Sequence, residues 1–291
     1  MTLPNFLIIG APKAGTTSLY HNLKVHPQVF MPSLKEVNYF NEATVGTEEG
    51  VSSYTSLFTD VSGETAYGEA STNYLFHPES PERIRELVPN VKLIAILRNP
   101  AERIYSEYWM RRRRDVLGID TEKGSISNHF SRLIEDRSED NFIYHFYWKS
   151  VERYLQYFDR SQIKICLFED LKHNPQGLYL ELCDFLGVDR SQLPAPSEKV
   201  YNKGGDAKNS SLFNVFENIR YRYAKELSRV FPTKVYEKLR YWYAMFRERF
   251  MLSDYSPLPG DVRTLLTNIH REDILQLQEF TGRDLSHWLK E

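Results

Sequence analysis

Apolar positions in this 291-residue chain fall into short continuous runs separated by stretches of helical spacing. Phe6 to Ile9, Ala66 to Glu69, Leu93 to Leu97 and Ile163 to Phe168 are such runs, each of a length that suits a buried strand. Between them apolar residues recur at helical intervals, first over Thr16 to Leu23. Strands alternating with helices predict an α/β fold, a central parallel sheet flanked by helices. In such sheets ligands sit at the carboxyl ends of the strands, which is where Lys13, Glu69 and Arg98 fall.

The first strand and helix belong to one signature, FLIIGAPKAGTTSLY, from Phe6 to Tyr20. Gly10 to Gly15 form its turn, and the amides of Thr16, Thr17 and Ser18 stand at a helix N-terminus. Amides at that end, together with the helix dipole, make an anion site. A nucleotide-hydrolysing P-loop places its lysine directly after the second glycine and a hydroxyl after that for magnesium. Here the lysine is Lys13, before the second glycine, and Thr16 takes the usual lysine position, so the loop is P-loop-like without matching the hydrolytic pattern. A second strand-then-helix stretch, KLIAILRNPAERIYSEY from Lys92, ends its strand on Arg98 where a metal-binding P-loop protein places an aspartate. Arg98 supplies a forked donor for a phosphate, and Ser106 can add a hydroxyl to the same anion.

These two segments resemble the sulfotransferases that use 3′-phosphoadenosine 5′-phosphosulfate (PAPS). SLKEVNYF at Ser33 to Phe40 resembles that family's Lys-Glu-x-x-x-Phe segment, YGEASTNYLF at Tyr67 to Phe76 its Gly-Glu-x-Ser/Thr strand, and IKICLFEDL at Ile163 to Leu171 its third core strand. LQEFTGRDLSHWL, Leu277 to Leu289, resembles its closing helix and Trp. The branch most similar is the glutamate-base one that holds heparan-type and many bacterial enzymes. Heparan-type members carry a lysine where this chain has Ala70.

The resemblance implies a set of roles. PAPS would be the sulfuryl donor and adenosine 3′,5′-bisphosphate the product, with no metal. Glu36 would be the catalytic base, and Lys13 would contact the bridging oxygen of the leaving phosphate. Lys13, Ala14, Gly15, Thr16, Thr17 and Ser18 would hold the 5′-phosphosulfate, Arg98 and Ser106 the 3′-phosphate. The loop YNKGGDAKNS resembles the segment that closes over the 3′-phosphate, with Lys203 and Gly204 its best-matched positions. Lys35, Glu69 and Ser71 are candidates for acceptor contact, although Glu69 could equally orient Lys13 or satisfy a buried loop. The acceptor would be a small molecule, a lipid or a glycan carrying a hydroxyl or an amine.

Length and average apolar content fit one α/β domain over residues 1–291. The segment Leu212 to Phe250 is rich in Tyr, Phe and Arg and is split by Pro232, which predicts a C-terminal helical elaboration. It reads as a wall of the acceptor pocket, as a homodimer surface, as a basic face for anionic lipid, or as aromatic packing with solvated arginines. Arg111 to Arg114 are expected to end the helix that begins near Ala101, where positive charge suits the dipole. Glu122 to Asp140 reads as a loop with a short helix. A net charge of −2 gives no sign of a nucleic-acid partner.

Cys166 and Cys183, one in a strand and one in a helix, are expected as buried thiols of a reducing compartment. The first core strand follows Met1 almost at once and no apolar run approaches the ~20 residues of a membrane span. The expectation is therefore a cytoplasmic protein with no transmembrane segment. The eight histidines show no metal-ligand spacing. His77 and His145 are the alternative bases, each expected as structural. A P-loop nucleotide kinase and a non-catalytic nucleotide-binding protein are the competing functional classes.

Overall fold

The computed structural model describes residues 2–113, 125–136, 141–196, 206–207, 243, 246, 252–253 and 256–290. Five parallel strands form the central sheet: β1 (Phe6–Gly10), β2 (Val29–Phe30), β3 (Ala66–Ala70), β4 (Lys92–Leu97) and β5 (Ile163–Leu167), in the order β2-β3-β1-β4-β5. All five residues of β1 are buried, as in a sheet covered on both faces. Phe6 pairs with Gly68 on one side and Lys92 on the other. Gly68 permits that approach, since a Cβ there would stand 2.2 Å from the Phe6 carbonyl oxygen. The chain adds strands first on one side of β1 and then on the other, which opens a crevice at the carboxyl end of β1.

The strand bounds differ from the sequence reading by single residues. β1 runs on to Gly10, which pairs with Ala95 after a register shift. β5 stops at Leu167 because Phe168 opens α7 (Phe168–His173), where the Asp170 carboxylate accepts from the Leu167 amide at 3.4 Å.

Helices α1 (Thr16–Leu23), α2 (Glu48–Thr55), α3 (Ser80–Leu87), α6 (Tyr147–Leu155) and α8 (Pro175–Leu186) accompany the sheet. Their buried residues merge with the strands in one apolar core that includes Cys166, Cys183 and Trp288. A second cluster joins α4 (Pro100–Arg113), α5 (Ile126–Glu135) and α9 (Gly260–Thr281) through Tyr105, Tyr108, Trp109, Phe130, Val262 and Leu266. The polar stretch at 122–140, read as mostly loop, thus contains a ten-residue helix. Ser125 caps it by accepting from the Asn128 amide at 3.2 Å, and its apolar residues cover α4. Asp273 of α9 accepts from the amides of Tyr147 and Lys149 at 2.7 and 3.2 Å, tying α9 to the start of α6.

Arg111 stands in the last turn of α4, as expected, and also finds side-chain partners. It turns back onto Glu107, Nη2 to Oε1 at 2.8 Å, and lies 4.6 Å from the Phe142 ring centroid. Arg112 lies over Trp109. Arg114 is outside the described residues, as is the segment at 212–250 apart from Tyr243 and Phe246, which are helical. Two short strands, β6 (Asp206–Ala207) and β7 (Leu252–Ser253), pair antiparallel across that segment. No described helix is long and apolar enough to cross a membrane.

Candidate active site

The turn after β1 is shaped around Gly15, the N-cap of α1, whose φ of 98° and ψ of 9° favour glycine. A Cβ there would stand 2.7 Å from Leu171 Cδ2 and 3.2 Å from Phe168 Cδ2, so α7 also closes the space a side chain would need. Gly15 brings no capping side chain to α1 and the first turn holds no acidic residue, which suits the positive end of the helix to an external anion. Lys13 adopts φ 66°, a left-handed geometry that costs a non-glycine residue on the order of 1–2 kcal/mol. Ala14 and Thr16 are buried, and Thr17 and Ser18 half-buried.

Arg98 follows β4, the neighbour of β1, and is fixed from several directions. The Tyr147 hydroxyl donates to the Arg98 carbonyl at 2.9 Å, and burial pushes that phenol up to about 12. Arg98 Nη1 donates to the Lys13 carbonyl at 3.5 Å, which joins the two candidate donor-binding segments. The guanidinium lies 4.8 Å from the Phe168 ring centroid. Its Nε and Nη2 donate to Glu102 Oε2 at 3.3 and 2.8 Å. Burial alone would raise the Glu102 carboxyl, but the hydrogen bond and charge of Arg98 outweigh it and the net shift is downward. Arg263 of α9 reaches the other carboxylate oxygen at 3.7 Å. Ser106 is buried on α4.

Glu36 stands on a turn docked against the end of β3. Its amide donates to the Ala70 carbonyl at 2.8 Å. The Thr72 amide donates to Oε2 at 2.9 Å and the Thr72 hydroxyl to the carboxylate at 3.0 and 3.2 Å. Lys35 Nζ pairs with Oε1. Both Glu36 (φ 62°) and Asn38 (φ 56°) are left-handed, so the turn persists only because its surroundings hold it. The Glu36 side chain is 37 % exposed, so the carboxylate is gripped from one side and open on the other. The grip of Thr72 on Glu36 joins residues far apart in sequence and has no local signature.

Glu69, by contrast, is fully buried. Ser71 Oγ donates to Oε2 at 2.8 Å and the Tyr54 hydroxyl to Oε1 at 3.5 Å. Burial pushes its carboxyl up to about 7, with Ser71 and Tyr74 hydrogen bonds pulling down and the Glu36 charge adding to the rise. Of the alternatives left open for Glu69, its setting is that of a buried support. Ser71 is buried with it, below the surface that an acceptor would touch. His145 stacks on Phe76 at 4.3 Å and burial, followed by the charge of Arg103, drives it down to about 3. Burial and Arg83 lower His77 as well. Lys203 and Gly204 lie outside the described residues.

The strand order and the anion cradle at the carboxyl end of β1 define a P-loop-like α/β protein. Residues 3–203 match the sulfotransferase domain family, more than half of the chain, and the chain belongs to that family. It is 33% identical over 200 residues to the bifunctional heparan sulfate N-deacetylase/N-sulfotransferase 4 of Mus musculus, covering 64% of this chain and 22% of that protein. It is 27% identical over 316 residues to the bifunctional heparan sulfate N-deacetylase/N-sulfotransferase 3 of Homo sapiens, covering 99% of this chain and 31% of that protein. The chain thus spans under a third of the length of these curated relatives. A solved sulfotransferase from Alicyclobacillus acidocaldarius superimposes with a TM-score of 0.66 at 26% identity, with 100% of both chains covered.

Proposed function

We propose that this chain transfers a sulfuryl group from PAPS to a hydroxyl or amine of a small-molecule, lipid or glycan acceptor, with Glu36 as general base. The observation that carries the reading is a shared edge. β3, β1 and β4 are adjacent, and their carboxyl ends bring the Glu36 turn, the Gly15 cradle and Arg98 to one side of the sheet. A base, an anion cradle and a second phosphate donor in one crevice are what sulfuryl transfer from a bisphosphorylated nucleotide needs. The residues fit that nucleotide, since Gly15 caps α1 with no side chain and Arg98 is a fork held close to the cradle.

Bound PAPS supplies the activated sulfur, with the 5′-phosphate as its leaving group. Glu36 takes the acceptor proton on its solvent-facing side while Thr72 and Lys35 hold the carboxylate in place. Lys13 and the first-turn amides of α1 offset the charge that grows on the leaving phosphate. Arg98 and Ser106 are assigned to the 3′-phosphate. The heparan sulfate named for two relatives makes a glucosamine amine the first acceptor to try, ahead of phenols and simple alcohols.

The test is release of label from sulfur-labelled PAPS to such a panel by wild type and Glu36→Gln. The variant should turn over roughly 10²–10⁴ more slowly with adenosine 3′,5′-bisphosphate binding unchanged. Full turnover by Glu36→Gln would remove Glu36 as the base and leave the reaction class standing. A wild type that neither binds the bisphosphate nor consumes PAPS would sink the whole reading.

A further inference from the structure

Beneath the Glu36 turn lies a polar relay that the transfer step itself does not use. The Asn38 amide donates to Ser71 Oγ at 2.9 Å, and Ser71 Oγ donates on to Glu69 Oε2 at 2.8 Å. Asn38 in turn closes the turn, its Nδ2 donating to the Glu36 carbonyl at 3.0 Å. Glu69 and Ser71 are both fully buried and Asn38 is half-buried, so the relay is sealed from water at its Glu69 end. A buried hydrogen-bonded pair such as Ser71–Glu69 fixes geometry more firmly than exposed contacts do. The left-handed φ at Glu36 and Asn38 shows that the turn is imposed from outside.

We infer that Glu69 is a positioning residue for sulfuryl transfer: acting through Ser71 and Asn38, it holds the strained turn that aims the Glu36 carboxylate. This rests on the reading of Glu36 as the base. A purely structural role would stabilise the sheet without directing the turn, whereas here Glu69 is linked through one hydroxyl to the amide of Asn38, which closes the turn. The Ser71 hydroxyl gives its proton to Glu69, which leaves a lone pair for the Asn38 amide. An acceptor at position 69 holds the Ser71 proton and so anchors the oxygen that the Asn38 amide meets.

The groups facing Glu69 are Ser71 and Tyr74 from the end of β3, Tyr54 of α2, Tyr154 of α6, and Lys35 and Glu36 of the turn. Tyr54, Tyr74 and Tyr154 are all pushed upward by burial and stay neutral through the working range. Glu69, raised to about 7, is the buried member of the set that changes charge near neutrality. Loss of its proton strengthens its hold on Ser71, so the turn should be held best above that pH.

Two variants separate the possibilities. Ser71→Ala removes the link to Asn38 and leaves Glu69 in place; Glu69→Gln keeps the shape and removes the titration. With sulfur-labelled PAPS and a glucosamine acceptor, Ser71→Ala should lower kcat roughly tenfold or more, with adenosine 3′,5′-bisphosphate affinity unchanged. Wild-type kcat should rise through about pH 7, and Glu69→Gln should lose that inflection. Wild-type kcat in a folded Ser71→Ala protein, or the same inflection in Glu69→Gln, would overturn the inference. A crystal structure of Ser71→Ala provides a check that does not depend on the reaction: a displaced 35–38 turn is expected, and an unmoved one overturns the relay even if no acceptor is found. If Glu36→Gln keeps full turnover while the turn moves in Ser71→Ala, it is the base assignment that has failed and not the relay.

Discussion

Replacing Glu69 with glutamine removes one titrating proton from the protein and leaves the shape of the side chain. The buried carboxyl sits at about 7 against a usual 4.5, raised chiefly by burial. Folding therefore holds this proton more tightly than the unfolded chain does. The group favours the folded state most below about pH 4.5, and that advantage is lost as the pH rises through about 7. At about 1.4 kcal/mol for each pH unit, the gap is worth at most about 3.5 kcal/mol, of which about 3 kcal/mol falls between pH 4.5 and 8. Urea unfolding of wild type and Glu69→Gln at a series of pH values between 4.5 and 8 measures it. The stability of wild type relative to the variant should fall by about 3 kcal/mol across the series. His145 and His270, both driven by burial down to about 3, favour the folded state above about 6.5 and lose that advantage as the pH falls. They are common to both proteins and cancel in the difference. A difference constant to within about 0.5 kcal/mol would refute the claim that burial raises the Glu69 carboxyl.

Gly15→Ala should cost about 1–3 kcal/mol, from the left-handed φ and from displacing Leu171, and should show as a lowered Tm together with weaker bisphosphate binding; an unchanged Tm would mean the cradle is not shaped as described. Arg98→Ala should weaken adenosine 3′,5′-bisphosphate by roughly 10- to 100-fold, the loss of hydrogen bonds to a charged group, while affecting 5′-AMP far less. Equal losses for the two nucleotides would place Arg98 away from the 3′-phosphate. Thr72→Val, which keeps the amide contact to Glu36 and removes the hydroxyl contacts at 3.0 and 3.2 Å, should lower kcat by roughly fivefold, the effect of about 1 kcal/mol, without changing nucleotide affinity.

The parallel sheet was legible because its strands are continuous apolar runs, and α1 because a glycine turn precedes evenly spaced apolar residues. Lys13, Glu36 and Arg98 could be singled out for the same reason: each sits next to a strand end or inside a local motif. Their partners could not. Thr72 meets Glu36, Phe168 lies under Arg98, and Tyr54 reaches Glu69 only because the sheet brings distant segments together. Glu69 itself looked like a site carboxylate, since sequence does not distinguish a strand-end residue that faces the crevice from one that faces the core. The short helix expected within Glu122 to Asp140 is Ile126–Glu135; its bounds were obscured by its polar face, although Ile126, Phe130, Leu133 and Ile134 keep helical spacing. The charge rule placed Arg111 in the last turn of its helix, but its side-chain partner one turn back was not legible in the sequence.

Calorimetric titration with adenosine 3′,5′-bisphosphate and with ATP, each with and without magnesium, tests the donor assignment most directly. Tight binding of the bisphosphate that needs no metal and exceeds that of ATP is the expected result. Magnesium-dependent preference for ATP would contradict it and return Lys13 and Gly15 to a phosphoryl-transfer loop.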